Sequence, residues 1–94
     1  MAAYRPDIPP HVAETIRRLP PDVKRRIGSA VRALSADPNH GEPLRGNLKG
    51  LWKYRVRSFR IVYAVNRAGR TLRIFAVGHR RGIYEEVAEF VPRQ

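Results

Sequence analysis

The apolar residues of this chain change period once. Val12, Ile16 and Leu19, and then Val23, Ile27, Val31 and Leu34, recur at helical spacing; beyond residue 50 the period becomes two. A chain patterned this way lays helices against a sheet. Pro9 and Pro10 suit a helix start, where their missing N–H groups would be unpaired anyway. Pro20 and Pro21 end one helix and begin another, with Asp22 at the positive end of the second dipole. Lys24, Arg25, Arg26 and Arg32 fall off the apolar stripe. Two antiparallel helices joined by a proline turn follow from this spacing. Asp37-Pro38 stops the second helix, and residues 39–47 read as loop.

In residues 51–57, Trp52, Tyr54 and Val56 share one face and Lys53, Arg55 and Arg57 the other. A tight turn near Ser58 leads to a second strand over 60–65, and a turn over 66–69 to a third over 71–77. Gly78 is expected to break that strand, and residues 85–90 to form a short final helix. Residues 2–8 make a short first strand, which Pro6 confines to an edge. The expected fold is α+β, in the order β-α-α-β-β-β. A helical hairpin packs on one face of a mainly antiparallel sheet, followed by a short C-terminal helix, all in a single domain over residues 1–94. The opposite sheet face is expected to be exposed.

Charge is laid over this pattern unevenly. Residues 43–84 contain eleven Lys or Arg and no Asp or Glu; the eight acids lie outside, five before and three after. With a formal net charge of +11, this stretch repels itself unless an anion lies across it. Nucleic acid is favoured over an acidic protein, and an acidic protein over an anionic membrane surface. The absence of cysteine excludes disulfides, thiolate metal sites and cysteine nucleophiles. No apolar run is long enough to span a bilayer, no signal-like segment opens the chain, and a cytoplasmic location follows by default.

Two clusters carry chemistry. Lys53, Arg55 and Arg57 form an outward row, with Arg60 just across the hairpin, suited to several phosphates at once. In residues 78–84, two glycines bracket His79, Arg80 and Arg81, and Tyr84 follows within one turn. An arginine there holds phosphate in a bidentate fork, and a tyrosine stacks on an unpaired base.

The blocks Leu44-Arg45-Gly46, Trp52-Lys53-Tyr54-Arg55-Val56, Phe59-Arg60-Ile61-Val62-Tyr63 and Val77-Gly78-His79-Arg80, with Tyr84 after them, resemble the RelE/ParE toxin superfamily, the toxin halves of bacterial type II toxin–antitoxin pairs. The resemblance implies a RelE-like endoribonuclease that cleaves ribosome-bound mRNA and needs no metal or other cofactor. In that reading Lys53, Arg55, Arg60, Arg80 and Tyr84 are the catalytic set, and Arg45, Lys49, Arg57, His79 and Arg81 bind RNA around them. A ribose 2′-OH attacks the adjacent phosphate and a 5′-OH leaves. Arg60 and Arg80 match the phosphate-handling arginines and Tyr84 the base-stacking tyrosine. Lys53 is a better base than Arg55, whose guanidinium stays protonated and which stands where RelE has a lysine. His79 is an alternative acid or base. The implied partners are mRNA, the ribosome and a cognate antitoxin with an acidic or amphipathic segment, the toxin–antitoxin complex reaching operator DNA through the antitoxin; no membrane is involved. The same superfamily also holds ParE-like inhibitors of DNA gyrase, which cut no RNA. A non-catalytic RNA- or ribosome-binding module is the third possibility.

Overall fold

The computed structural model describes residues 3–79 and Ile83. The helix expected over 85–90 and the side chains of Arg80, Arg81 and Tyr84 lie outside the described residues. The elements run β1 (Arg5–Asp7), α1 (Pro10–Arg17), α2 (Pro21–Ala36), β2 (Glu42–Pro43), β3 (Trp52–Val56), β4 (Phe59–Asn66) and β5 (Thr71–His79). Both helices start where the prolines place them, with proline in the first turn of each. Asp37 then adopts an extended backbone, φ −149°, as the residue before a proline prefers, and α2 ends there.

The five strands lie in the order β1-β5-β4-β3-β2. β1 runs parallel to β5 at one edge, where Pro6 costs least, and the remaining pairs are antiparallel. Both helices pack on one sheet face. Val12, Ile27, Val31 and Leu34 meet Ile61, Tyr63, Leu72 and Ile74, and all eight side chains are buried. Burial of each such apolar side chain is worth about 1.5–3 kcal/mol. Trp52, Tyr54 and Val56 line the rim of the same core, as their parity predicts.

Three features depart from the sequence reading. The loop expected over 39–47 contains β2, two residues paired to β3 through Glu42↔Lys53 and Pro43↔Trp52. β5 runs through Gly78 to His79 because the β4 ladder continues beside it, with Arg60↔Gly78 and Phe59↔His79 in register. The face away from the helices is not simply exposed. Leu51, Val62, Ala76 and Ile83 form a second buried cluster there, covered by Leu44 and Leu48 from the loop before β3. Positive φ angles at Gly46 and Gly50, 67° and 100°, let that loop fold back over the sheet. A bulge makes the two-sided packing possible. Val62 pairs with Ala76 but Tyr63 with Ile74, so Phe75 is an extra residue in β5. Ile74 and Val77, three apart, therefore both reach the helix-side core, which strict alternation forbids.

Tyr63 joins the layers. Its ring stacks on Trp52 at 6.2 Å, and its buried hydroxyl donates to the Pro38 carbonyl at 2.7 Å. Gly41 has no room for a side chain beside it: a Cβ would sit 2.2 Å from the Tyr63 hydroxyl and 2.6 Å from the Lys53 carbonyl. Burial pushes the Tyr63 phenol from 10.0 up to about 12, against a hydrogen bond from the Gly41 backbone that lowers it. The folded chain thus holds this proton to higher pH than the unfolded chain does. The stabilisation is complete below about pH 10 and is lost as pH rises towards about 12. Chemical denaturation at stepped pH is expected to show this loss in the native sequence and a flatter profile over that window in Tyr63→Phe, which is also less stable at neutral pH.

Candidate active site

The cations of β3 and β4 collect at the hairpin end of the sheet face turned away from the helices. Arg55 stands directly across from Arg60, and Arg60 across from Gly78. The adjacent row reads Glu42, Lys53, Val62, Ala76 across four strands. Side chains opposite one another in a ladder share a face, with Cβ atoms about 5 Å apart. Arg55 and Arg60 are thus a like-charged cross-strand pair, an arrangement that disfavours the sheet taken by itself. Gly78 has no side chain of its own beside Arg60, and the Ile83 side chain lies against it, 3.7 Å from where a Cβ would sit. Val62 and Ala76 give Lys53 an apolar floor, and Lys53 and Arg60 are half-buried while Arg55 is exposed.

Among the described residues, the structure brings together Lys53, Arg55 and Arg60 from the expected catalytic set. Arg45 and Lys49 flank the short helical turn Gly46–Leu48 in the loop that covers the second apolar cluster, and both are exposed. Arg57 occupies the β3–β4 turn with φ 57°, a left-handed conformation that disfavours any residue but glycine. His79 does not join the row. It pairs with Phe59, its ring lies 4.4 Å from the Phe59 ring, and Phe59 belongs to the helix-side core, so the imidazole sits on the opposite sheet face from Arg60. The physical reason is parity: β5 continues through Gly78, and the residue after Gly78 must turn to the other side.

Glu42 is the residue that sequence reading missed. It sits one position outside the acid-free window, yet the β2–β3 register sets it across from Lys53. No local signal marks it, because a two-residue strand ending in proline has no alternation to read. The carboxylate gives the face an acceptor that the cations around it lack.

A model of the ParE toxin of type II toxin–antitoxin systems matches residues 8–84, which is most of the chain. The chain belongs to this family. This ParE-family toxin is similar in structure to the toxin in the RelBE2 toxin–antitoxin complex of Mycobacterium tuberculosis, at 28% identity and a TM-score of 0.76 over 85% of this chain and 94% of that one. It shares its fold with a free-state Escherichia coli RelE carrying two arginine-to-alanine substitutions, at 22% identity and a TM-score of 0.80, covering 96% and 99% of the two chains. The toxin of the YoeB–YefM complex of Staphylococcus aureus gives a TM-score of 0.66 at 17% identity, covering 83% and 98%. No curated protein matches the sequence of this ParE-family toxin. Two helices on a five-stranded, mostly antiparallel open sheet are thus common to RelE-like folds and to this toxin.

A left-handed non-glycine residue costs about 1–2 kcal/mol, and glycine returns about 0.5–1 kcal/mol of that through its greater unfolded-state freedom. Arg57→Gly is therefore expected to raise the unfolding free energy by up to about 1 kcal/mol, read as a higher denaturation midpoint. A lower midpoint would show that the Arg57 side chain contributes more than its backbone loses.

Proposed function

We propose that this toxin is an endoribonuclease that cleaves ribosome-bound mRNA in the cytoplasm, by attack of a ribose 2′-OH on the adjacent phosphate. The observation that supports the reading best is the opposed pair Arg55 and Arg60 beside Lys53, cations on a shared face whose mutual repulsion a phosphate relieves. In the reaction the 2′-oxygen forms a bond to phosphorus as the bond to the 5′-oxygen breaks. The 2′-proton goes to a base and a proton reaches the departing 5′-oxygen, leaving a cyclic phosphate and a 5′-OH.

Arg60 and Arg80 are both assigned, from the resemblance to RelE, the stabilisation of charge on the non-bridging oxygens. Lys53, or Glu42 across from it, takes the 2′-proton; a carboxylate is an acceptor at neutral pH without losing a proton first. Tyr84 is assigned the stacking contact with a base. Arg45, Lys49, Arg57 and Arg81 hold flanking phosphates, and His79, on the far face, stands outside the reacting set. A cognate antitoxin, of the kind that accompanies RelE in the RelBE complexes, is the partner that inhibits the toxin. Operator DNA is then reached through that antitoxin.

The matching family model is that of ParE, and this favours a second reading, inhibition of DNA gyrase with no RNA cleavage. Purified toxin acting on programmed ribosomes separates the two. Lys53→Ala, Arg60→Ala and Arg80→Ala are each expected to lower single-turnover cleavage by more than about tenfold, the scale of one lost transition-state contact. Unchanged cleavage in all three overturns the site. No cleavage by the native chain, together with arrest of gyrase supercoiling, establishes the second reading instead.

A further inference from the structure

The sheet face turned away from the helices has a second polar region, at the end opposite the Arg55–Arg60 pair. β1, β5 and β4 form the bed of a cleft there, about 610 Å³ in volume and within the roughly 300–1,000 Å³ of small-ligand sites. The register sets Asp7 beside Arg73 and Arg73 beside Ala64, with Arg5 beside Thr71 in the neighbouring row. Residues paired in this way share a face, and Ala64 packs on the Leu51, Val62 and Ala76 cluster, so the row points away from the helices. Phe75 packs half-buried on the same cluster, two residues along β5 from Arg73. Along β4, Ala64 stands four residues from Arg60, about 14 Å at the rise of an antiparallel strand.

The chemistry of the cleft is mixed. Arg73 and Asp7 approach to 3.8 Å with side chains 59% and 47% exposed, a contact too long and too solvated to lock either group. An arginine beside a carboxylate presents donors next to acceptors in one strip. Guanine carries the matching strip, with acceptors at N7 and O6 followed by donors at N1–H and N2–H₂. Adenine sets a donor, N6–H₂, where guanine has O6, and so opposes the arginine N–H groups with another N–H. Phe75 supplies a ring on which a base stacks, and the short side chain of Ala64 leaves depth for it. Arg5 is exposed, and among the described residues no acid pairs with it, which leaves its guanidinium for a phosphate. Thr71 and Asn66, at the end of the cleft, are engaged with Gly69 in the β4–β5 turn.

We propose that this cleft binds a guanine nucleotide. The base stacks on Phe75, with its N7 and O6 edge on Arg73 and its N1 and N2 donors on Asp7, and the phosphate lies on Arg5. The nucleotide is either free or part of a single strand, since the recognised groups are the same in both. A carboxylate between the two arginines disfavours a site for phosphate alone, because it repels an anion and accepts from a base. The cleft is separate from the row of Lys53, Arg55 and Arg60, and its occupancy does not depend on whether the toxin cleaves RNA.

The test is an amide NMR titration of the full, isotope-labelled chain with GMP, AMP and the trinucleotides ApGpA and ApApA. With GMP and ApGpA, the amides of Asp7, Arg73 and Phe75 are expected to shift and saturate. Each guanine ligand is expected to bind more than about fivefold tighter than its adenine counterpart, the low end of what one bidentate base contact discriminates. Asp7→Asn is expected to remove this preference, because a side-chain amide then sets donors against those of guanine. Phe75→Leu, which keeps an apolar side chain on the second cluster, is expected to weaken both guanine ligands by more than about fivefold, the low end for one stacked base. An affinity for ApGpA more than about tenfold above that for GMP identifies a single strand as the source, its added phosphates releasing counterions; a smaller difference identifies the free nucleotide. Equal binding of guanine and adenine ligands, a preference retained in Asp7→Asn, or an absence of shifts at the cleft overturns the proposal.

Discussion

The hydrogen bond from the buried Tyr63 hydroxyl to the Pro38 carbonyl ties the exit of α2 to the centre of the sheet. A buried hydroxyl left without its partner costs about 1–3 kcal/mol, so the bond fixes where the chain goes after the helix. Gly41 is its necessary companion, since any side chain there collides with both the hydroxyl and the β3 backbone. The turn from Pro38 to His40 is secured further by Arg67, which donates to Asn39 at 2.8 Å, and by Asn39, whose backbone N–H donates to Asp37 at 3.1 Å. With the turn held, β2 has one register available, and that register sets Glu42 beside Lys53.

The second constraint is that the central strand β4 is apolar on both faces. Ile61 and Tyr63 belong to the helix-side core and Val62 to the opposite cluster, all three with no exposed surface. A sheet buried on both sides leaves little room for charge. The cations are therefore driven to its hairpin end and its rims, where Arg55 and Arg60 are forced to face each other. Concentration of charge at one end, rather than its total, is the feature on which the proposed phosphate-handling role draws.

Most of the architecture was legible in the residues, and the exceptions share a cause. The proline pairs placed both helix starts, and the 3.6- and two-residue periods placed the core stripe and the face of β3. What could not be read depends on pairing between distant segments. Glu42 and Pro43 carry no strand signal; their pairing follows from the Tyr63 anchor 20 residues along the chain. The bulge at Phe75 and the passage of β5 through Gly78 follow from the register with β4, and together they send His79 to the helix side. The expectation of an exposed second face failed because Leu44 and Leu48, which look like loop residues, fold over Leu51 and Val62. Parity puts Lys53 and Arg55 on one face and the hairpin puts Arg60 across from them, whereas the acid in their midst required the fold.

In the proposed function the row Lys53, Arg55 and Arg60 handles the phosphates of a message being translated. Its most direct measurement is to induce the chain in cells, alone and with its neighbouring gene, and map the 5′ ends of all RNA. The predicted result is new 5′-hydroxyl ends at a set position within codons, absent when the neighbouring gene is co-expressed, with chromosomes intact. Intact message accompanied by broken chromosomes would contradict it.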